Sequence, residues 1–198
     1  MSSKDKYGKF KKKDFVRIIY NVRDYLCEVF GYEKKPFLFE SKLMDGCLMC
    51  FDHHQNTYAI FYDYKQLKDT FGDESFKMQT VYVATILAHE MRHYYQHRQM
   101  IAKKQIESEE TIELWRENER NPKFIGMDVA PSDIYLQPLE LDASLFEYVF
   151  GAEEFGLLLS HIIADEQHFN ALEKLYVEYF GESDEDLFND KIRAIIKE

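Results

Sequence analysis

The chain contains few of the residues that build disulfide frameworks, turn-rich folds and membrane spans. Its 198 residues include only 3 Cys, 4 Pro and 8 Gly. Three cysteines are too few, and odd in number, for a disulfide framework, which favours a reducing compartment and predicts a cytoplasmic protein. The scarcity of Pro and Gly argues against collagen-like, low-complexity and turn-rich all-β chains. No apolar run approaches the roughly 18 residues of a membrane helix, so the sequence predicts no membrane span.

Basic charge is also scarce. Lys and Arg number 25 against 36 Asp and Glu, which gives a net charge of -11. A surface of this sign repels nucleic acid and anionic lipid, so neither is expected as a partner. The exception is residues 1–13, where Lys predominates. We predict that this stretch is a basic, flexible tail. It is not expected to be a secretory signal, because no apolar segment follows it directly.

Apolar residues, by contrast, are abundant enough for a substantial core. Hydrophobic residues make up 45% of the chain and aromatic residues 16%. A chain of this length normally forms one domain of roughly 100–200 residues. Because no linker or internal repeat interrupts it, we predict a single domain over residues 14–198.

Apolar spacing predicts an α+β fold, in which a small antiparallel sheet of about three strands precedes a mostly helical bundle. Residues 14–30 have helical periodicity, and Gly31 and Pro36 close that helix. Short aromatic runs are typical of strands at 37–39, 47–51 and 58–62, with a hairpin turn at 53–56. Further helices are predicted at 64–70, 76–104, 107–119, 138–150, 153–180 and 184–197, with a loop at 121–132 and a break at Gly151.

The most informative motif lies in the middle of the long helix predicted at 76–104. His89-Glu90-Met91-Arg92-His93 has the pattern His-Glu-x-x-His. Residues four apart share one face of a helix, so the imidazoles of His89 and His93 can converge on one cation. The neighbouring Glu90 can then hold a water without binding the metal itself. A random arrangement of this composition contains the motif in roughly 3% of cases, so the pattern needs support from its context.

A catalytic zinc site requires a third protein ligand and one open position. His97 lies roughly 12 Å along the helix from His89, too far for one ion to reach both. The third ligand is therefore expected from another helix, and the best candidate is Glu140 in Pro138-Leu139-Glu140. Taken alone, an acid in the first turn of a helix is explained by the helix dipole. Together with the upstream motif, Glu140 becomes the predicted third ligand.

The combination resembles the gluzincin metallopeptidases, in which His-Glu-x-x-His is followed by Glu-x-x-(Ala/Ser)-(Asp/Asn) on a later helix. Glu140 and Ala143 fit that pattern, whereas Ser144 stands where the family often has Asp or Asn. The strand-rich segment before the motif and the small size look like the minigluzincins and the ImmA/IrrE-type peptidases. The resemblance covers about residues 46–150. It implies a zincin-like fold and one zinc ion per chain, held by His89, His93 and Glu140, with Glu90 as the catalytic glutamate.

The resemblance also implies an activity. A metalloendopeptidase of this kind would hydrolyse peptide bonds of a cytosolic protein through Glu90-assisted attack of zinc-bound water, and the family resemblance points to a repressor-type regulator as the substrate. The strand at 57–63 is expected at the sheet edge beside the cleft, where an extended substrate can pair with it. The oligomeric state is left open. Side chains that can support the ligands or the transition state are Asp142, Ser144, Tyr135, His161 and His168.

Two alternatives stay open at the level of the sequence. The first is a catalytically degenerate zincin-fold protein with a binding or regulatory role, which Ser144 and the acidic surface favour. The second is a di-iron carboxylate helical bundle, since Glu90 and His93 also form a Glu-x-x-His element, with Asp165 and His168 as an imperfect second copy. The strands predicted at 36–63 and the presence of His89 argue against the bundle.

The pair Cys47 and Cys50 forms a CxxC without a second CxxC, so it does not make a zinc ribbon. Residues three apart in a strand point to opposite faces. We therefore expect two buried, apolar cysteines there.

Overall fold

The computed structural model describes residues 10–123, 131–156, 170–172 and 174. Residues 1–9 of the tail predicted at 1–13, and most of the two helices predicted after residue 153, lie outside this part of the chain. His161, Asp165 and His168 lie outside it as well. The chain divides into two compact units, residues 1–95 and 96–198. The expectation of a single domain over residues 14–198 stays a prediction.

The first unit begins with helix α1, Lys12–Val29. Its start lies two residues before the predicted one, and the Asp14 carboxylate accepts a hydrogen bond of 3.1 Å from the Lys11 backbone amide there. One face of α1 carries the buried residues Phe15, Ile19, Leu26 and Cys27. The helix ends at Val29, one residue before the predicted end, and Gly31 follows its C-cap with a φ of 68° that favours glycine.

Three strands follow: β1 (Phe37–Glu40), β2 (Met49–His54) and β3 (Thr57–Tyr62). Their order in the sheet is β1-β3-β2. β2 pairs with β3 in an antiparallel hairpin, whereas β1 pairs with β3 in parallel. The prediction of a purely antiparallel sheet is therefore wrong. Strand periodicity determines which side chains share a face of the sheet. It does not determine whether segment 41–48 places β2 next to β1 or leaves room for β3 between them.

The position of β3 corrects a second expectation. β3 is the central strand of the described sheet, with β1 on one side and β2 on the other. Tyr58, Ala59 and Ile60 are buried, as expected for a strand with neighbours on both sides. Residues 57–63 are therefore not an exposed edge, and a substrate cannot extend the sheet along them.

Two helices complete the first unit and lead out of it. Helix α2 is Tyr64–Phe71 and helix α3 is Phe76–Ile101. Asp63 caps α2, and its carboxylate accepts a 3.0 Å hydrogen bond from the Gln66 backbone amide. α3 carries the His-Glu-x-x-His motif, as predicted. On its other faces it buries small and apolar side chains: Val81, Val83, Ala84, Leu87, Ala88 and Met91.

The second unit contains α4 (Glu109–Arg120), α5 (Pro131–Tyr135) and α6 (Pro138–Phe155). Ile112 and Trp115 are the buried residues of α4. Two sequence expectations are corrected here. The loop predicted at 121–132 overlaps the start of α5, which begins at Pro131. Helix α6 continues through Gly151 to Phe155. Gly151 is buried inside α6, and the helix ends instead at Gly156, whose φ is 67°.

The described part of the chain is thus α+β, with a three-stranded mixed sheet and mostly helical content. This agrees with the predicted fold class except for the strand directions. Among the described residues, no helix is both long and apolar enough to cross a membrane.

Candidate metal centre

The two histidines of the motif face each other on α3. The Nε2 atoms of His89 and His93 lie 3.1 Å apart, and both side chains are half-buried. Two ligands bound about 2.0–2.1 Å from one tetrahedral ion lie roughly 3.3 Å apart. The separation observed in the protein is close to that value, so the imidazoles are already arranged to share an ion.

Glu140 supplies a third atom to the same place. One ligand atom from each of His89, His93 and Glu140 lies within 4.8 Å of the others. Two imidazole nitrogens and one carboxylate oxygen form the His₂Glu donor set that zinc adopts in hydrolytic sites. All three side chains are half-buried, which leaves the group accessible to water and substrate. The donor set and its spacing therefore fit a divalent ion such as zinc.

Glu90, the fourth residue predicted for the site, is held by the sheet. It is buried, with 9% of its surface exposed. Its Oε2 atom accepts a hydrogen bond of 2.7 Å from the backbone amide of Phe51 in β2. This amide points away from β3, because the alternate residues of an antiparallel strand direct their backbone groups to opposite sides. The outer edge of β2 thus orients Glu90, a partner that the sequence motif did not reveal.

The first turn of α6, which carries Glu140, is fixed by amide side chains. Asn118 of α4 accepts a 3.0 Å hydrogen bond at Oδ1 from the Leu139 backbone amide. Gln96 donates from Nε2 to the Leu139 carbonyl at 2.9 Å and to the Asp142 carboxylate at 2.6 Å. Asp142, predicted as a supporting residue, is buried and bonded to Gln96. Sequence reasoning missed Gln96 and Asn118, because buried amides have no recognisable spacing.

The structure does not assign the remaining candidates for supporting roles. Ser144 is buried in α6. Tyr135 lies in α5 and is 39% exposed. His161 and His168 lie outside the described residues. The roles assigned to these four side chains therefore stay predictions.

A second group has metal-binding residue types. Ligand atoms of His53, His97 and Glu119 also lie within 4.8 Å of one another. His97 Nδ1 and Glu119 Oε1 are 3.2 Å apart, and His53 and Glu119 are exposed. A hydrogen bond between a histidine and an exposed acid accounts for the His97–Glu119 pair, so this group serves as a comparison in metal experiments.

The cysteine pair differs from expectation. Cys50 is exposed and Cys47 is of intermediate exposure, so the prediction of two buried cysteines is wrong. The neighbouring Cys47 thiol raises the pKa of the Cys50 thiol, and desolvation and the charge of Glu90 raise it further. Cys50 therefore stays protonated at neutral pH, which makes it a poor nucleophile and a poor thiolate ligand.

Comparison with protein-family models, with curated proteins and with solved structures finds no match for this chain.

Proposed function

We propose that this protein is a zinc-dependent metalloendopeptidase of the gluzincin type, acting on a protein substrate. One observation carries the proposal: His89, His93 and Glu140 present ligand atoms within 4.8 Å of one another, next to a glutamate that follows the first histidine. This donor set and the adjacent acid are those of catalytic zinc sites that hydrolyse peptide bonds. A zincin-like fold, a cytoplasmic location and a repressor-type substrate belong to the same proposal through the family resemblance.

In this proposal His89, His93 and Glu140 hold the ion and Glu90 manages the proton. Bound zinc supplies a positive charge that polarises a carbonyl and lowers the pKa of a bound water towards about 7. Glu90 accepts the proton of the attacking water at a carboxylate oxygen and passes it to the leaving amine. The hydrogen bond from the Phe51 amide orients the carboxylate for both transfers.

Metal analysis tests the ligands. We expect about one equivalent of zinc in the wild-type protein and its loss in both His93→Ala and Glu140→Ala. His53→Ala is the matched control, because His53 belongs to the second His/Glu group, and it should retain the zinc. Unchanged zinc in Glu140→Ala would remove Glu140 as a ligand. A second equivalent lost in His53→Ala would assign an ion to the second group.

Cleavage of an unfolded protein substrate tests the activity. Glu90→Gln preserves the size of the side chain but removes the base, so we expect hydrolysis to fall about 10²–10⁴-fold while zinc stays bound. If the wild-type protein binds zinc but does not hydrolyse the substrate, and Glu90→Gln changes neither result, the second candidate is favoured. That candidate is a degenerate zincin-fold protein that binds its partner and does not cleave it. Ser144, which stands where the family often has Asp or Asn, is the observation that favours this second candidate.

The di-iron alternative makes a different prediction for the metal. It requires two irons per chain and ligands from Asp165 and His168, which lie outside the described residues. Iron in place of zinc in the metal analysis, at two equivalents, would replace the peptidase proposal with this one.

A further inference from the structure

Gln96 is the most deeply buried polar side chain near the proposed ligands. None of its surface is exposed, and it lies three residues after His93, about 4.5 Å further along the axis of α3. A buried amide costs free energy unless its polar atoms find partners. Both donor bonds of its amide group end on α6: one at the Leu139 carbonyl, at 2.9 Å, and one at the Asp142 carboxylate, at 2.6 Å.

These two acceptors lie on either side of Glu140 in the chain. The Leu139 carbonyl belongs to the peptide group that leads directly into Glu140, and Asp142 follows two residues later. A single amide group therefore holds the backbone immediately before Glu140 and the side chain shortly after it. Because peptide groups are planar, fixing the Leu139 carbonyl also fixes the plane that carries the Glu140 nitrogen.

Asn118 holds the other end of the Leu139 residue. The first backbone amides of a helix have no partner within the helix and need a cap. The N-cap residue of α6, Gln137, makes no capping hydrogen bond with its side chain, and Pro138 at the first position has no N–H. Asn118 Oδ1 accepts the 3.0 Å hydrogen bond from the Leu139 amide instead. The cap of α6 is thus supplied by another helix, α4.

The same network secures Asn118. Its Nδ2 donates to Gln137 Oε1 at 2.9 Å, and Gln137 Oε1 also accepts from the Lys123 backbone amide at 2.7 Å. The Gln137 Nε2 atom donates to the carbonyls of Lys123 and Ile134, at 2.9 and 3.0 Å. Three amide side chains, those of Gln96, Asn118 and Gln137, therefore determine where the first turn of α6 begins.

We propose that Gln96 and Asn118 are positioning residues for the metal ligand Glu140, which they hold by fixing both ends of Leu139. This inference rests on the proposed function, since it takes Glu140 as a ligand. Partners that orient metal ligands typically contribute 10–100-fold to metal affinity. Gln96 and Asn118 supply that orientation through the backbone beside the ligand, without contact to the ion.

The test is zinc affinity, measured by competition with a chelator, together with thermal unfolding of the zinc-free protein. Gln96→Leu should weaken zinc binding 10–100-fold. The matched control is Gln99→Leu. Gln99 is also a buried amide on α3, with 3% of its surface exposed. Its Oε1 atom accepts a hydrogen bond of 2.8 Å from the backbone amide of Ile106, which follows the end of α3 and is not part of α6. Equal losses of zinc affinity in the two variants, or no loss in Gln96→Leu, would overturn the proposal.

Two further comparisons separate positioning from stability. Removing both partners of a buried hydrogen bond can be nearly neutral for folding, so Gln96→Leu with Asp142→Leu should regain thermal stability but not zinc affinity. Asn118→Asp keeps an oxygen acceptor for the Leu139 amide and should bind zinc more tightly than Asn118→Leu. Full recovery of zinc affinity in the double variant, or equal affinity of the two Asn118 variants, would count against a positioning role.

Glu140→Ala distinguishes this inference from the proposed function. Weak zinc binding in Glu140→Ala with normal binding in Gln96→Leu would refute the positioning role alone. Normal zinc binding in Glu140→Ala would refute both, because Glu140 would then not be a ligand.

Discussion

At the scale of single residues, the orientation of each polar side chain depends on the atoms that form hydrogen bonds with it. Glu90 illustrates this. The motif predicts that it lies beside a metal, but its orientation comes from the backbone amide of Phe51, 39 residues earlier in the chain. A backbone donor has no side-chain signature, so no motif could have identified it.

Replacing the donor tests this orientation. Phe51→Pro removes the N–H that Glu90 accepts, and it deletes no hydrogen bond to β3 because that N–H faces outward. We expect hydrolysis to fall by about tenfold or more while zinc stays bound, a smaller loss than the 10²–10⁴-fold expected for Glu90→Gln. The assay is peptide hydrolysis with parallel metal analysis.

Two variants control for other effects of that change. Phe51→Val keeps the amide and removes the ring, and His53→Pro places a proline at the next outward amide of β2, which donates to Asp52 at 2.7 Å. Both should hydrolyse the substrate faster than Phe51→Pro. If all three variants lose activity equally, the effect belongs to the strand and not to Glu90.

Asp63 gives a prediction about pH. Hydrogen bonds from the backbone and side chain of Gln66, and from the Leu43 amide, lower the pKa of the Asp63 carboxyl. Because its folded pKa lies below the usual value of about 3.9, its contribution to stability is complete above that pH and is lost as the pH falls through the folded pKa.

The comparison is urea unfolding of wild type and Asp63→Asn across the acid range. At neutral pH the variant should unfold at lower urea concentration, and the difference should shrink below about pH 4. A difference that stays constant down to the lowest pH would mean that the charge of Asp63 contributes nothing to folding.

At the scale of secondary-structure elements, local sequence patterns predicted well which segments form helices and strands, but predicted poorly how the strands pair. The periodicity of α1, the strand-like aromatic runs and the Pro138 start of α6 all correspond to observed elements. The parallel pairing of β1 with β3 was missed because alternation carries no information about strand partners. Gly151 was misread as a break, since one glycine inside a helix costs only about 0.5–1 kcal/mol, which the burial of neighbouring helix residues can outweigh.

The hairpin between β2 and β3 offers a stability test that is independent of the metal site. Gln55 and Asn56 both have positive φ, 45° and 71°, as a two-residue turn between antiparallel strands requires. Gln pays for this conformation more than Asn does. Gln55→Asn should therefore raise the free energy of unfolding by a part of the roughly 1–2 kcal/mol that the left-handed conformation costs, and Gln55→Val should lower it, as measured by urea denaturation.

At the scale of the whole molecule, metal binding should be linked to folding. The proposed ligands come from residues 89 to 140 of the sequence, so the unfolded chain does not hold them together. A ligand that binds only the folded state stabilises it by about 2.7 kcal/mol at a free concentration 100 times its dissociation constant. We expect zinc to raise the unfolding temperature of the wild-type protein by several degrees.

His93→Ala provides the control for this thermal shift. With one ligand removed, the same zinc concentration should leave the unfolding temperature nearly unchanged. A similar shift in both proteins would mean that the ion binds elsewhere, and His53→Ala would then show whether the second His/Glu group holds it.

The sequence by itself determined the α+β class, the helix that presents His89, Glu90 and His93 on a shared face, and the expectation that Glu140 approaches them. The first two follow from local periodicity, which the chain encodes within a few residues, whereas the expectation for Glu140 came from combining the His-Glu-x-x-His motif with a later helix that begins with an acid. Only the tertiary structure decided the strand order, the anchoring of Glu90 by Phe51, and the hold of Gln96 and Asn118 on Leu139. Such contacts join residues far apart in sequence, and buried polar groups find their partners only when the fold brings them together.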